Sequence, residues 1–253
     1  MGLGGVGIDG TYPEVSKDVM LSKLSVLKDQ FKENYNPDIK VRVDRIKRLQ
    51  LLVEENMDSF HKALQSDFGS RHEQMSLLSD TLPVINNAKD ALKNIHKWMK
   101  PEKRKPNFPL GLLGAKAYIQ FQPYGVVGII SPWNFPLILS IAPLVEVLAA
   151  GNNAMMKLSE FVPATSELTE ELISKYFNEK EVVVINGGPK TSQEFSSLPF
   201  DHLLFTGSTA VARKVALSAA ENLVPLTLEL GGKSPSIISQ NAKIKKTVDQ
   251  IMT

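Results

Sequence analysis

The chain has 253 residues, 43% hydrophobic and 22% charged, enough to bury a sizeable core as one large domain or two small ones. Its 29 basic and 27 acidic residues leave a net charge of +2, which gives no general case for nucleic acid or an acidic membrane surface as partner. Cysteine is absent, so disulfides, thiolate metal sites and cysteine nucleophiles are excluded within these residues.

Residues 2–7, Gly-Leu-Gly-Gly-Val-Gly, match the spacing of a dinucleotide fingerprint, but no strand precedes them, so residues 1–15 read as a flexible leader. The start carries no charged segment followed by an apolar one, and no apolar run reaches membrane-spanning length. A cytoplasmic location is the default expectation.

Residues 16–114 read as a helical region. Ile46, Leu49, Val53, Met57, Phe60, Leu64 and Phe68 recur at spacings of three and four, one apolar face closed near Gly69. Leu82, Ile85, Ala88, Leu92, Ile95 and Met99 mark a further helix. The basic run Lys97–Lys105 is broken by two prolines and reads as a solvated connecting loop. His61, His72, His96 and His202 lack the i, i+4 spacing of metal ligands, so no metal site is expected.

Within residues 115–123, Lys116, Tyr118, Gln120 and Gln122 alternate with Ala117, Ile119 and Phe121, the period of an edge strand. Residues 124–253 then alternate short apolar runs with helical ones. Val126–Ile130 reads as a strand buried on both faces, with Pro136 in the first turn of the apolar helix that runs to Ala150 and stops at Gly151. Further strands are expected over Ala154–Leu158, Val182–Ile185, His202–Phe205 and Pro225–Glu229, with helices over Ala164–Tyr176, Ser192–Ser197 and Thr209–Ala220. This is an α/β pattern: a Rossmann-like, mostly parallel sheet with flanking helices and a helical N-terminal region covering it.

Four sets of residues fall at expected strand ends, where open α/β sheets bind ligands. Trp133 and Asn134 lie between a strand and a helix N-terminus. Lys157 and Glu160 suit a ribose, the ammonium donating and the carboxylate accepting, and equally suit a capping turn. Phe205-Thr-Gly-Ser-Thr209 turns through Gly207 into a helix capped by Ser208 or Thr209, a place for a pyrophosphate. Leu228-Glu-Leu-Gly-Gly-Lys-Ser234 lacks the first glycine of a P-loop, Thr227 standing there. Its Glu229 is either a carboxylate enclosed by leucines and suited to general-base work, or a cap or salt-bridge partner.

Pro132-Trp-Asn-Phe-Pro136, Lys157-Leu-Ser-Glu160, Phe205-Thr-Gly-Ser-Thr209 and Leu228-Glu-Leu-Gly-Gly-Lys-Ser-Pro235, in this order, closely resemble the aldehyde dehydrogenase superfamily. With Ile185-Asn-Gly-Gly-Pro189, the text is most similar to the branch with class 3 and coniferyl aldehyde dehydrogenases. The resemblance covers about Ser16 to the last residue and implies an incomplete aldehyde dehydrogenase fold, the N-terminal cofactor-binding portion.

In that family a cysteine thiolate adds to an aldehyde, hydride passes to NAD or NADP, and water releases the acid. The resemblance implies that Asn134 donates to the developing oxyanion and Glu229 acts as general base. It places Trp133, Lys157, Glu160, Gly188, Gly207, Ser208 and Gly231 around the dinucleotide. Glu160 accepts from free ribose hydroxyls and repels a 2′-phosphate, which leans the cofactor towards NAD, with NADP the alternative.

The partners implied are a small-molecule aldehyde and a second copy of the complete enzyme, a homodimer meeting through the 115–123 strand. Ala212 departs from the family's usual glycine. The family's nucleophilic cysteine follows the base glutamate by a few tens of residues, and the chain reaches Thr253 without one. By itself the chain is therefore expected to lack turnover and to expose surfaces that a catalytic half would cover. The alternative is a non-catalytic nucleotide-binding or interaction module.

Overall fold

The computed structural model describes residues 13–252; the glycine run at 2–7 lies outside them. Five parallel strands form the central sheet in the order β5-β4-β3-β6-β7: β3 Val126–Ile130, β4 Asn153–Lys157, β5 Val182–Ile185, β6 His202–Gly207 and β7 Leu226–Leu230. From β3 the chain steps outward to β4 and β5, then crosses back to place β6 on the other flank of β3. That reversal between β3 and β6 is a topological switch point, where loops diverge and leave a crevice.

Side-chain alternation along the buried strands divides the core. Val127 and Ile129 of β3, with Ala154 and Met156 of β4, join one apolar cluster under α2 (Ile39–Glu55), α5 (Leu82–Trp98), α6 (Ile138–Ala149) and α7 (Pro163–Tyr176). Val126 and Ile130, with Met155, join the other, under α1 (Lys17–Glu33), α8 (Pro189–Ser196) and α9 (Thr209–Ala220). Both faces are covered, as the continuous apolar runs require. At Gly128 a side chain would come within 2.8 Å of Leu203 and Phe200, so glycine sets the closeness of that packing. Ala212 is 2% exposed in the second cluster, which therefore accommodates its methyl.

Several boundaries differ from the sequence reading. The apolar face over 46–68 is two helices, α2 and α3 (Met57–Phe68), broken at Asn56, whose φ of −117° and ψ of 19° leave the helical region. Apolar spacing continues across the break because both helices face one core, so periodicity alone could not register it. Pro136 stands two residues before α6, although Leu137 between them already has helical dihedrals, φ −78° and ψ −52°. The alternating stretch near 116–122 keeps only β2 (Ala117–Ile119), paired antiparallel with β1 (Glu102–Arg104) in a separate exposed ribbon. The basic run is thus partly strand.

At the far edge β7 is exposed, and the terminal helix α10 (Ile244–Met252) turns Ile244, Val248 and Ile251 to solvent.

Candidate functional site

Loops leaving the carboxyl ends of β3, β4 and β6, with the start of α8, enclose a cleft of about 620 Å³. Trp133, Glu160, Pro189, Gln193, Gly207 and Ser208 are among the residues that line it. It sits at the switch point, and four helices, α6 to α9, begin around it.

How those helix starts are satisfied decides where an anion can bind. The first N–H groups of a helix have no partner within it and carry partial positive charge. Helices α6, α7 and α8 have Leu137, Val162 and Gly188 at their N-caps, with no capping side chain of their own. Each instead takes a carboxylate from a distant segment. Asp80 accepts from the N–H groups of Leu137 and Ile138 at 3.1 and 3.2 Å. Asp67 accepts from those of Ala164 and Thr165 at 2.9 and 2.8 Å. Glu14 accepts from those of Lys190 and Thr191 at 3.3 and 2.6 Å.

Helix α9 is different. Its cap is Ser208, whose hydroxyl accepts from Val211 N–H at 3.3 Å, and among the described residues no carboxylate closes it. It is the one start of the four still able to take an external anion, and Lys214 in its second turn also lines the cleft.

At the end of β4, Lys157 is 1% exposed, its ammonium donating to the carbonyl of Leu158 at 2.5 Å and to Glu160 Oε2 at 3.4 Å. Burial pushes the Lys157 ammonium below the usual lysine range, although the charges of Glu160 and Glu14 pull it back up in part. Glu160 does not cap α7, which Asp67 does. Its carboxylate faces the cleft with Lys157 beneath it, so the pair presents an acceptor held by a buried donor.

Trp133 lines the mouth, half exposed, its ring 6.5 Å from that of Phe68. Asn134 is exposed beside it, and its carbonyl accepts from Arg71 Nη1 at 3.1 Å. Gly188 stands immediately before the cleft-lining Pro189. The structure therefore brings Trp133, Glu160, Gly207 and Ser208 to one cleft, with Lys157, Gly188 and Asn134 adjoining.

It does not bring Glu229 or Gly231 there. Glu229 is exposed on β7 opposite Thr206, and a side chain on Gly231 would meet nothing within 4 Å. The carboxylate enclosed by leucines is thus not what β7 presents, because at this sheet edge Glu229 and its neighbours Leu228 and Leu230 are all left exposed.

Glu14, Asp67, Arg71 and Asp80 were not singled out in the sequence. Their partners are remote in the chain, and the one available signal was negative: three helix starts lacking any Ser, Thr, Asp or Asn at the cap. A second cavity, about 400 Å³, lies at the C-terminal end of α6 beside Arg42. The Arg42 guanidinium donates to the carbonyls of Pro37, Ala149 and Ala150 and to Asn36 Oδ1, a cap of α6.

A profile of the aldehyde dehydrogenase family matches residues 10–253. The chain belongs to this family. It is 42% identical over 248 residues to a coniferyl aldehyde dehydrogenase of a Pseudomonas sp., a match covering 98% of the chain and 50% of that protein. The substrate-bound state of Staphylococcus aureus AldH superposes with a TM-score of 0.87 at 34% identity, over 92% of the chain and 50% of that structure. An aldehyde dehydrogenase from Mycobacterium tuberculosis, complexed with NAD+, superposes at 0.78 with 27% identity, over 92% and 48%. The chain spans about half the length of the curated relatives it matches. The Rossmann-like sheet with its flanking helices is accordingly the N-terminal half of the aldehyde dehydrogenase fold. Among the described residues no helix is long and apolar enough to cross a membrane, and no cluster of side chains could hold a metal ion.

Proposed function

We propose that this chain forms the dinucleotide-binding portion of an enzyme that oxidises an aldehyde to its carboxylic acid with NAD. An aromatic aldehyde of the coniferyl type is the substrate class. The observation that carries the reading is the start of α9, left without a carboxylate where its three neighbours are closed. Its free N–H groups, with Gly207 and Ser208, suit a pyrophosphate. Lys157 and Glu160 suit a ribose, and the Glu160 carboxylate disfavours a 2′-phosphate, so NAD is preferred over NADP. The half-exposed Trp133 offers an apolar wall at the mouth.

Bound there, a nicotinamide would supply the hydride acceptor. Asn134 would donate its side-chain amide to the oxyanion that develops on the aldehyde carbonyl, and Glu229 would take a proton from water once its open face is covered. The thiol nucleophile must come from outside these cysteine-free residues. The complete enzyme is proposed as a cytoplasmic homodimer that meets through the exposed ribbon. That same lack of cysteine favours a second reading for the 253 residues by themselves, a nucleotide-binding module without chemistry.

Calorimetric titration tests the core of this. NAD+ should bind more tightly than NADP+, and an aldehyde panel with NAD+ should yield no NADH from this chain alone. NADP+ preference, or turnover by the pure chain, contradicts it.

A further inference from the structure

We infer that Arg71 and Asp80 are a positioning pair for the Trp133–Phe135 turn, holding its centre and its downstream end. Asp80 is fully buried in a π-helical turn, Leu77–Thr81, a wide turn of the kind that recurs at functional sites. Its Oδ1 holds the downstream end of the turn through the N–H groups of Leu137 and Ile138. Its Oδ2 stands 2.7 Å from Arg71 Nη2, an ionic contact off the line of a hydrogen bond. Arg71 Nη1 donates to the carbonyl of Asn134. The same guanidinium lies over the rings of Phe68, at 4.7 Å, and Phe135, at 5.1 Å, and Phe68 in turn neighbours Trp133.

One planar cation therefore touches the carboxylate behind the turn, the peptide plane within it and two aromatic rings. Pinning the carbonyl of Asn134 fixes its peptide plane and leaves its amide only side-chain torsions to search. A buried ion pair costs desolvation that apolar packing avoids, so stability alone does not call for one here. By contrast, the Arg45 and Arg48 pairs with Glu181 hold carbonyls of Asn152 and Tyr176 and touch no residue of the Trp133–Phe135 turn. Lysine could keep the charge but not the planar fork. The consequence for catalysis rests on the proposed oxyanion role of Asn134; the ordering of the turn does not.

The test uses the Trp98→Phe background, leaving Trp133 as the one tryptophan. Time-resolved anisotropy should show at least a twofold larger fast component in Arg71→Ala, with unchanged far-UV dichroism. A polar cavity of about 510 Å³ borders Arg71, giving small ions access to the vacated place. Millimolar methylguanidinium should restore the parent signal, and methylammonium should not. Parent-like anisotropy in folded Arg71→Ala, or equal rescue by both cations, overturns the inference. Should Arg71→Ala fail to fold, Arg71→Lys decides: a more mobile Trp133 with a near-parental melting midpoint supports the pair, and parental anisotropy overturns it. Failure of the unsubstituted chain to bind NAD+ would count against the proposed function while leaving this mobility result intact.

Discussion

Asp67 receives the backbone N–H of Thr165 at 2.8 Å across 98 positions of sequence, and the Thr165 hydroxyl reaches the same oxygen at 2.7 Å. One carboxylate thereby closes α7 and ties it to α3. Loss of such a cap costs about 1–2 kcal/mol, so Asp67→Ala should lower the unfolding free energy by about that much in urea titrations. A change within error of zero would show that water replaces the cap.

Lys157 should separate binding from stability. Its ammonium is buried against one carboxylate and one carbonyl, a costly arrangement for the fold. Lys157→Met should leave the melting temperature unchanged or higher, while NAD+ affinity falls about tenfold, equivalent to about 1.4 kcal/mol. A lower melting temperature with unchanged affinity would make the lysine structural.

Gly207 and Ser208 open α9. A methyl at Gly207 would come within 2.6 Å of the Phe205 ring, which must shift, and overpacking of this kind costs about 1–3 kcal/mol. Ser208→Ala removes the cap, a loss of about 1 kcal/mol. Both should weaken dinucleotide binding in calorimetry by more than Ser174→Ala, an exposed change remote from the cleft.

Glu181 sets an acid limit. Burial favours its neutral form, but the hydrogen bond from Arg48 and the charges of Arg45 and Arg48 outweigh burial and hold its pKa below 4.5. A depressed folded pKa means the unfolded chain binds the proton more readily, so this stability is present above the unfolded value and is lost as pH falls through the folded one. Urea midpoints measured downward from pH 5 should fall more steeply for the parent than for Glu181→Gln. At pH 7 Glu181→Gln should already be less stable, because the nearly buried Arg45 loses its carboxylate.

Much of the sheet was legible because its strands are short apolar runs between turn residues, β-branched in β3 and β5, and α9 is read to the residue because Ser208 caps it locally. The cleft was legible where its residues follow strand ends directly, as Trp133, Glu160, Gly207 and Ser208 do. What stayed hidden depends on contacts far apart in sequence. Nothing near Glu14, Asp67 or Asp80 announces a helix start that another segment provides. The break at Asn56 was invisible because apolar spacing runs through it, and the exposure of Glu229 follows from the edge position of β7, which its own letters do not record.

On the proposed function, a dinucleotide binds where α9 begins, between the loops after β3 and β6. Backbone amide chemical-shift mapping during titration with NAD+ tests it most directly. Saturable shifts should concentrate on Trp133, Glu160, Gly207, Ser208 and the first turn of α9, leaving Trp98 and Gln120 beside the second cavity unmoved. A folded chain whose spectrum ignores NAD+, or whose shifts gather at that second cavity, would contradict the account.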